Sequence, residues 1–197
     1  MEGPACRQKG DVYVWGVRNR TSLNFPPPTA RLFFRTWGLD DWPLAMALWG
    51  NPRVSALIGG PFDENGVRER LETELQRQKR HRIQYWPLFR KADGQHVGCC
   101  GLRPHDPSAG TLEVGFQLRP EHWGQGLATE AARAVVEYAF ETLGVRALVA
   151  GHHPKNSSSQ RVLEKLGFRY THDELYAPTG LQHRSYVLTA DLQRPLI

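Results

Sequence analysis

The sequence predicts a mixed α/β fold in which a central, mostly antiparallel sheet carries helices on both faces. The first observation is an alternating, strand-like segment at residues 112–118 that leads through a glycine-rich turn into a helical segment at residues 127–143. The second is another strand and helix directly after it, at residues 146–151 and 157–167. Because further strands precede these units and follow them, the order of elements indicates a sheet layered with helices.

Length and composition fit one domain with a hydrophobic core. The chain has 197 residues, of which 40% are hydrophobic, enough for a single core of ordinary size. We assign the folded domain to residues 29–197 and treat residues 1–28 as a loosely ordered N-terminal extension, because Phe25 is followed by three prolines. An added edge strand at residues 12–17 is the alternative for part of this extension.

The first half of the domain is predicted from capping and turn residues. Asp40 and Asp41 precede a short helix with a proline in its first turn, where proline is tolerated. Asp93-Gly94 between two apolar runs is typical of a hairpin turn. The predicted elements are a strand at residues 31–35, helices at residues 40–49 and 63–80, and hairpin strands at residues 85–90 and 97–102.

The turn after residue 118 is the first candidate binding site. It contains Gly124-x-Gly126 directly before a helix that begins at Leu127 and stops at Gly144. The first backbone N–H groups of a helix have no partners inside it, and with the helix dipole they favour a bound anion such as phosphate. These residues alone are equally compatible with a tight strand-to-helix turn that binds nothing.

The next strand and helix carry the residues that separate these alternatives. Residues 146–151 form a short apolar strand, and Asn156 is a favourable N-cap for the helix that follows. An apolar stripe through Val162 and Leu166 ends at Gly167, which suits a left-handed helix end. Two closing strands are predicted at residues 168–175 and 184–189.

Three short motifs in this region together resemble one known family. They are Gly124-x-Gly126-x-Ala128 at one helix start, Asn156-x-x-Ser159 at the next, and Glu-Lys-Leu-Gly-Phe at residues 164–168. In this order they resemble the GNAT superfamily of acyl-CoA-dependent N-acyltransferases. The chain is most similar to the Rim-type branch, which resembles N-terminal acetyltransferases of ribosomal proteins. The resemblance runs from residue 29 to residue 189 and implies the GNAT fold.

The resemblance also implies that acetyl-CoA lies along the strand at residues 112–118 and over the glycine turn. Its pantetheine arm would pair with the strand backbone, and its pyrophosphate would bind amides of the turn. The family usually has Arg or Gln at the position of Trp123, which here either packs over the cofactor or belongs to the core. The implied cofactor-binding residues are Phe116, Gln117, Leu118, Trp123, Gly124, Gln125, Gly126, Leu127, Ala128, Thr129, Asn156 and Ser159. Nearby cations that could add positive charge are Arg119, Arg133, Lys155 and Arg161.

Acyl transfer to an amine needs a base, a polarised carbonyl and a proton for the departing thiolate. The predicted catalytic residues are Glu113 and Ser159. Glu113 resembles the strand glutamate that some family members use as a base through an ordered water; the alternative is an exposed or salt-bridged strand carboxylate. Ser159 matches the Rim-type serine that faces the sulfur, while the tyrosine of many relatives is replaced by Leu163. Four imidazoles compete for the role of base: His105, His122, His152 and His153.

The acceptor is expected to be a primary amine that attacks directly in a ternary complex. A protein or peptide N-terminal α-amine is the first expectation, and an amino acid, a polyamine or an antibiotic is the second, since one fold serves all of them. A non-catalytic acyl-CoA-binding module is the alternative from another class. The acceptor is expected to enter from the side opposite the cofactor, lined by the first two helices and by residues 51–61 and 175–183. The aromatic candidates on this side are Trp42, Trp49, Tyr176 and His183. The chain is expected to be a monomer or a homodimer.

Several other classes of partner are not expected. Cys6, Cys99 and Cys100 form no metal-binding or disulfide pattern, so we expect no metal, and neighbouring Cys99 and Cys100 should point to opposite faces of a strand. No apolar run approaches the roughly 20 residues that span a bilayer, and no signal peptide is evident, which predicts no membrane partner and a cytoplasmic location. The net charge of +5 suits cofactor phosphates, an acidic peptide or ribosomal RNA. Direct nucleic-acid binding is not expected, because no motif with stacking aromatics is present.

Overall fold

A seven-stranded sheet organises the chain. The computed structural model of the protein describes residues 7–9, 12–14 and 24–193. The sheet has the strand order β3-β4-β5-β6-β7-β9-β8, and its only parallel neighbours among the described strands are β6 and β7. Its strands are β3 (Leu32–Phe34), β4 (Tyr85–Arg90), β5 (His96–Asp106), β6 (Thr111–Leu118), β7 (Ala147–His152), β8 (Arg169–Tyr176) and β9 (Leu181–Thr189). The predicted mixed α/β fold class is confirmed.

The helices lie on both faces of this sheet, as predicted. They are α1 (Trp42–Trp49), α2 (Pro52–Ser55), α3 (Glu64–His81), α4 (Leu127–Glu137) and α5 (Ser157–Lys165). A larger apolar cluster packs α4 and α5 against one face, with Val114, Ala131 and Leu163 among its members. A smaller apolar cluster packs α1 and α3 against the other face and includes Trp49 and Leu71. None of the described helices is long and apolar enough to cross a bilayer.

The two neighbouring cysteines separate the two clusters. Cys99 belongs to the smaller cluster and Cys100 to the larger one, and both thiols are fully buried. Successive side chains of a strand point to opposite faces, which is why two adjacent residues reach different cores. The predicted orientation of the pair is therefore confirmed, and β5 is a wall shared by both clusters.

Two short strands near the start of the chain form a sheet of their own. Strands β1 (Arg7–Lys9) and β2 (Val12–Val14) pair with each other in a two-stranded sheet and do not join the large one. Residues 15–17 of the alternative edge strand lie outside the described residues. Farther along, the Asn24 carbonyl accepts a hydrogen bond from Trp86 Nε1 at 3.0 Å, and Phe25 packs against the larger cluster. The domain division at residue 28 stays a prediction.

Three local features differ from the sequence prediction. The helix predicted for residues 127–143 is α-helical only to Glu137 and continues as a π-helix over Tyr138–Leu143. The short α2 was not predicted, although Asn51 caps it with its side chain and Pro52 occupies its first position. Strand β5 extends beyond residue 102 to Asp106.

Candidate functional site

Strands β6 and β7 separate after only three paired residues. The pairs are Thr111 with Ala147, Leu112 with Leu148, and Glu113 with Val149. Beyond this point β6 stays paired with β5 as far as Leu118, whereas β7 stays paired with β9. The backbone groups of a strand alternate between its two edges. The part of β6 beyond Glu113 therefore directs some N–H and C=O groups into the opening between β6 and β7.

A groove of about 520 Å³ occupies this opening and is called the β6–α4 groove below. One wall is the end of β6 and the turn to α4, and the other is the start of α5 together with α2. Of the predicted cofactor residues, all but Gln125 line it; these are Phe116, Gln117, Leu118, Trp123, Gly124, Gly126, Leu127, Ala128, Thr129, Asn156 and Ser159. One strand, one helix start and a second helix start thus meet at a single cavity.

The turn before α4 requires glycine for its backbone conformation. Gly124 and Gly126 have φ angles of +73° and +74°, which L side chains rarely adopt. Space is not the constraint, because a Cβ on Gly126 would approach only Arg31 Nη2, at 3.7 Å, and one on Gly124 would meet nothing within 4 Å. The turn therefore leaves the first amides of α4 accessible from the groove, the arrangement that favours a bound anion.

The side-chain amide of Asn156 caps α5 through its oxygen. Its Oδ1 accepts a hydrogen bond from the backbone N–H of Ser159 at 3.0 Å, so the predicted N-cap of α5 is confirmed. Within the described part of the chain, neither Asn156 Nδ2 nor Ser159 Oγ has a hydrogen-bond partner. Both groups border the groove, where each can bind a ligand without giving up the helix cap.

Positive charge reaches the groove from both walls. Lys155 and Arg161, two of the four cations predicted from the sequence to add positive charge, line the groove. Arg119 instead pairs with Glu121 at 2.6 Å, and Arg133 lies on a neighbouring hollow beside Pro28. Two further cations, Arg53 and Lys165, line the groove and were not predicted.

Trp123 is a surface residue of the groove and not part of the core. Its side chain is 46% exposed, while its Nε1 donates to the Leu118 carbonyl at 2.7 Å and so fixes the ring. The guanidinium carbon of Arg53 lies 5.1 Å from the centre of the Trp123 ring. The two residues face each other from opposite walls.

Glu113 lies where β6 and β7 separate, on the face of the smaller cluster. Its Oε2 accepts from Arg103 Nη2 at 2.6 Å, so the salt-bridged alternative describes its contacts. Its Oε1 is 3.4 Å from the Tyr85 hydroxyl, whose proton is retained because burial, and then the charge of Glu113, raise the pKa of Tyr85. The Glu113 side chain remains 20% exposed, so water can reach this carboxylate.

The comparison with known families decides the class of this protein. The acetyltransferase (GNAT) domain family matches residues 31–169. The chain belongs to this family. As predicted, it is therefore an acetyl-CoA-dependent N-acetyltransferase, and the alternative of a non-catalytic module is not favoured.

This acetyltransferase is similar to an uncharacterized protein and to two acetyltransferases that are named for different acceptors. It is 32% identical over 133 residues to the uncharacterized protein YkkB of Bacillus subtilis, covering 67% of this chain and 77% of YkkB. It is 31% identical over 157 residues to FsC-acetyl coenzyme A-N(2)-transacetylase of Aspergillus fumigatus, covering 75% and 66% of the two chains. Among solved structures, RimL, a ribosomal L7/L12 alpha-N-protein acetyltransferase in complex with coenzyme A, is similar in fold, with a TM-score of 0.72, 16% identity and coverage of 85% and 98%.

The residues of the groove fit the acetyl-CoA that this family uses. A phosphate ester requires anion-binding amides and cations, which the turn before α4 and the lysine and arginine side chains provide. An amide-rich pantetheine arm requires unpaired backbone groups, which β6 offers beyond Glu113. Among the described residues no group of three or more His, Cys, Asp or Glu side chains is arranged to hold a metal ion.

Two of the four competing histidines have ring nitrogens already occupied. His153 Nδ1 accepts the backbone N–H of Lys155 at 3.0 Å, so the lone pair of its neutral ring is in use. His152 Nδ1 donates to the His153 carbonyl at 2.9 Å, which leaves Nε2, 3.3 Å from the Tyr186 hydroxyl, as the acceptor. Both rings are buried, and neither offers a lone pair to an incoming amine.

The other two histidines are further from this role. His122 borders the groove but is buried, and this burial lowers its pKa. His105 is exposed near the end of β5, next to Asp106. Of the base candidates, only Glu113 combines a position at the separation of β6 and β7 with access to water.

Only part of the side expected to bind the acceptor lies away from the β6–α4 groove. Residues 175–183 belong to the closing hairpin, whereas Arg53, Val54, Leu57 and Ile58 of the segment 51–61 line the groove with the predicted cofactor residues. The Tyr176 ring lies 4.6 Å from that of His183, whose Nε2 is 2.9 Å from Thr179 Oγ1. The turn at Pro178 packs closely against Gly59. A Cβ added to Gly59 would lie only 2.5 Å from the Cβ of Pro178. Trp49 was predicted to border this side, but it is fully buried and donates to Gln117 Oε1 at 2.6 Å.

Proposed function

We propose that this acetyltransferase moves the acetyl group of acetyl-CoA to the N-terminal α-amine of a peptide or protein, as in the Rim-type branch. The observation that supports this most strongly is the separation of β6 and β7, because it connects the β6–α4 groove to Glu113. A donor held in the groove and an acceptor on the Glu113 side would then meet at one opening in the sheet. Direct attack in a ternary complex requires this arrangement.

The donor side would be held mainly by main-chain groups. The amides from Gly124 to Thr129 would bind the pyrophosphate, with Lys155 and Arg161 adding positive charge. The backbone of Phe116, Gln117 and Leu118 and the free amide of Asn156 would bind the pantetheine arm. Gln125 does not line the groove; its carbonyl accepts from Arg31 Nη1 at 3.0 Å, so its contribution would be to hold the turn.

Acetyl-CoA supplies a thioester whose acetyl carbon forms a bond to the amine nitrogen while its carbon–sulfur bond breaks, and CoA leaves as a thiolate that takes up a proton from solvent. Glu113 would take the proton that the attacking nitrogen loses, through one water. Arg103 and Tyr85 fix the orientation of its carboxylate. A backbone N–H between Phe116 and Leu118 would polarise the carbonyl.

Ser159 would act on the departing sulfur. Its hydroxyl borders the groove and is not engaged elsewhere within the described residues, so it can donate a hydrogen bond there. Leu163, at the position where many relatives have tyrosine, is buried and supplies no proton. A thiolate whose conjugate thiol has a pKa near 8.5 leaves with little assistance, so a hydrogen bond is sufficient and the effect of losing it is expected to be small.

A solvent-facing trough along α3 supports a peptide acceptor. It has a volume of about 500 Å³ and runs along the outer face of α3 to Pro104, next to the Arg103 that binds Glu113. Its lining mixes both charges, with Glu69, Glu72, Arg77 and Arg80 among its residues. The residues that follow the N-terminal amine of a peptide acceptor would lie in this trough, because its charged and polar lining suits an extended peptide with polar side chains.

A small amine is the second candidate, and one comparison favours it. The relative from Aspergillus fumigatus, 31% identical over 157 residues, is named as a transacetylase that acts at N(2) of FsC. Similarity to RimL, at 16% identity, concerns the fold alone. An acceptor amine on a small molecule would require the same donor groove and the same base.

Thiol release from acetyl-CoA would distinguish the two acceptors. The panel would hold short peptides with different N-termini, the same peptides with blocked α-amines, and a set of polyamines, amino acids and aminoglycosides. We expect release with at least one free peptide and none with its blocked form. Release only with small amines would contradict the peptide assignment, and absence of acetyl-CoA binding in calorimetry would contradict the proposed use of the groove.

A further inference from the structure

Arg53 is the one cation of the groove that comes from the α2 side. It is the second residue of the four-residue α2, after Pro52, and its side chain is exposed. Val54, Leu57 and Ile58 of the same segment form the apolar part of that wall. Opposite them lies the turn that carries Trp123, Gly124 and Gly126.

The side chain of Arg53 spans the mouth of the groove to reach Trp123. Its guanidinium carbon is 5.1 Å from the ring centre, within the range of a cation–π contact. Within the described residues no carboxylate lies at salt-bridge distance from it, so its charge is held only by an aromatic face. Trp123 itself cannot follow a ligand far, because its Nε1 is bonded to the Leu118 carbonyl at 2.7 Å.

Such a contact is weak compared with what a phosphate offers an arginine. A guanidinium stacked on a ring keeps its in-plane N–H groups free, and two parallel N–H···O bonds from them to a phosphate are short and charge-assisted. The turn beside Trp123 presents the first amides of α4, where an anion is expected. Arg53 is therefore held beside the expected position of the diphosphate before any ligand binds.

We propose that Arg53 and Trp123 form a clasp over the β6–α4 groove: Arg53 stays on the Trp123 ring when acetyl-CoA binds and donates its free in-plane N–H groups to the diphosphate. This rests on the proposed use of the groove. The clasp closes the groove from the α2 side, while Lys155, Arg161 and Lys165 provide charge from the α5 side. Trp123 positions the guanidinium and thereby lowers the entropy lost on binding.

Calorimetric titration of the full-length protein tests the clasp without relying on turnover. The ligands are CoA and dephospho-CoA, which lacks the 3′-phosphate but keeps the diphosphate. Arg53→Gln is expected to raise the Kd of both ligands by the same factor, about tenfold, as for one lost charge-assisted contact. Arg68→Gln is the matched control, because Arg68 is also exposed and lies 4.6 Å over Trp42 away from the groove; it should leave both Kd values unchanged.

A double-mutant cycle tests whether the two residues act together. Trp123→Leu alone is expected to raise the Kd about threefold, and to add almost nothing in the Arg53→Gln background, since the ring then has no arginine to position. Additive effects would overturn the clasp and indicate two independent contacts. An unchanged Kd in Arg53→Gln would overturn it too, and a loss confined to CoA would move Arg53 to the 3′-phosphate. If the unaltered protein bound neither ligand, the proposed groove itself would be wrong.

Discussion

Arg31 and Glu130 join the first strand of the large sheet to the helix that opens the β6–α4 groove. Glu130 Oε2 accepts from Arg31 Nε at 2.6 Å, and Glu130 Oε1 accepts from the Arg31 backbone N–H at 2.9 Å and from Thr29 Oγ1 at 2.6 Å. The Nη1 group of Arg31 also donates to the Gln125 carbonyl inside the glycine turn, at 3.0 Å. Although burial alone would raise it, these hydrogen bonds hold the pKa of Glu130 below its ordinary value. The shape of the turn thus depends on a residue almost 100 positions earlier.

Removing this charge is expected to loosen the turn. Glu130→Gln should raise the Kd for acetyl-CoA several-fold and lower the free energy of unfolding by about 1 kcal/mol, a modest value because Arg31 is half exposed. Calorimetry and urea denaturation measure the two effects. Asp93→Asn, which removes the exposed ion pair with Arg90 in a hairpin turn, is the control and should leave the Kd unchanged. Equal effects of both substitutions on the Kd would refute a local role.

Gly126→Glu is expected to abolish measurable CoA binding. The substitution puts a side chain at a φ of +74° and a negative charge at the start of α4, where an anion is proposed to bind. Gly94→Glu is matched to it, since Gly94 has a φ of +69° and nothing within 4 Å of its Cβ, yet lies in a distant turn. Both variants should lose similar stability in thermal unfolding, and only the first should lose CoA. Retained affinity in Gly126→Glu would place the phosphates elsewhere.

Glu113→Gln should lower kcat about a hundredfold and leave the KM for acetyl-CoA within about twofold, because a base acts on the amine and not on the donor. Asp41→Asn is the comparison variant. It removes an arginine–carboxylate pair of equal length, 2.6 Å to Arg35, with similar exposure but outside the groove. Steady-state kinetics with the acceptor found in the thiol-release panel provides the readout. A fall in kcat of the same size in both variants would show that the effect is structural.

His153→Asn separates the histidine alternative from Glu113. The Asn side-chain oxygen can take the place of Nδ1 in accepting the Lys155 N–H, which the structure shows at 3.0 Å. We therefore expect kcat to stay within about threefold of its original value across the neutral pH range. A loss of two orders of magnitude, with unchanged thermal stability, would assign the proton transfer to His153 after all.

His96 is expected to make the fold sensitive to acid. Burial, and then the nearby Arg119, lower its pKa to about 4, and neither ring nitrogen has a hydrogen-bond partner within the described residues. The unfolded chain binds a proton near pH 6.5 and the folded chain does not, so stability falls as pH decreases from about 6.5 to 4, by up to about 3 kcal/mol. His96→Leu should flatten this part of the profile in urea denaturation, whereas exposed His172→Gln should not. A profile that His96→Leu leaves unchanged would contradict this account.

Periodicity and caps were sufficient to predict most of the fold. The alternation of Leu112, Val114 and Leu118 predicted both a strand and the face that packs on the larger cluster. Asp63 and Asn156 cap their helices through their side chains at the predicted ends. Such local information needs only a few neighbouring residues. The end of α4 was missed, because the apolar pattern does not reveal that the backbone changes from i→i+4 to i→i+5 hydrogen bonds over Tyr138–Leu143.

The candidate site was predictable only where it follows the chain. The glycine turn and the start of α5 are continuous motifs, and both line the groove. Arg31 and Arg53 approach the same turn from segments about 70 or more residues away, and no local rule connects them to it. Asn51-Pro52 did carry a usable indication of α2, an N-cap followed by a first-position proline. The direction of the Arg53 side chain could not be predicted in this way, because it depends on the position of Trp123 across the groove.

The short contact between β6 and β7 divides the hydrogen-bond ladder of the sheet into two parts. One part contains β3, β4, β5 and β6, and the other contains β7, β9 and β8, with three residue pairs as the only ladder between them. If one part rotated relative to the other, the rotation would pivot about these three residue pairs. Glu113 belongs to the last pair and would be displaced least, whereas Leu118 at the tip would travel furthest. The mouth could thus widen for a bulky donor while the carboxylate kept its place.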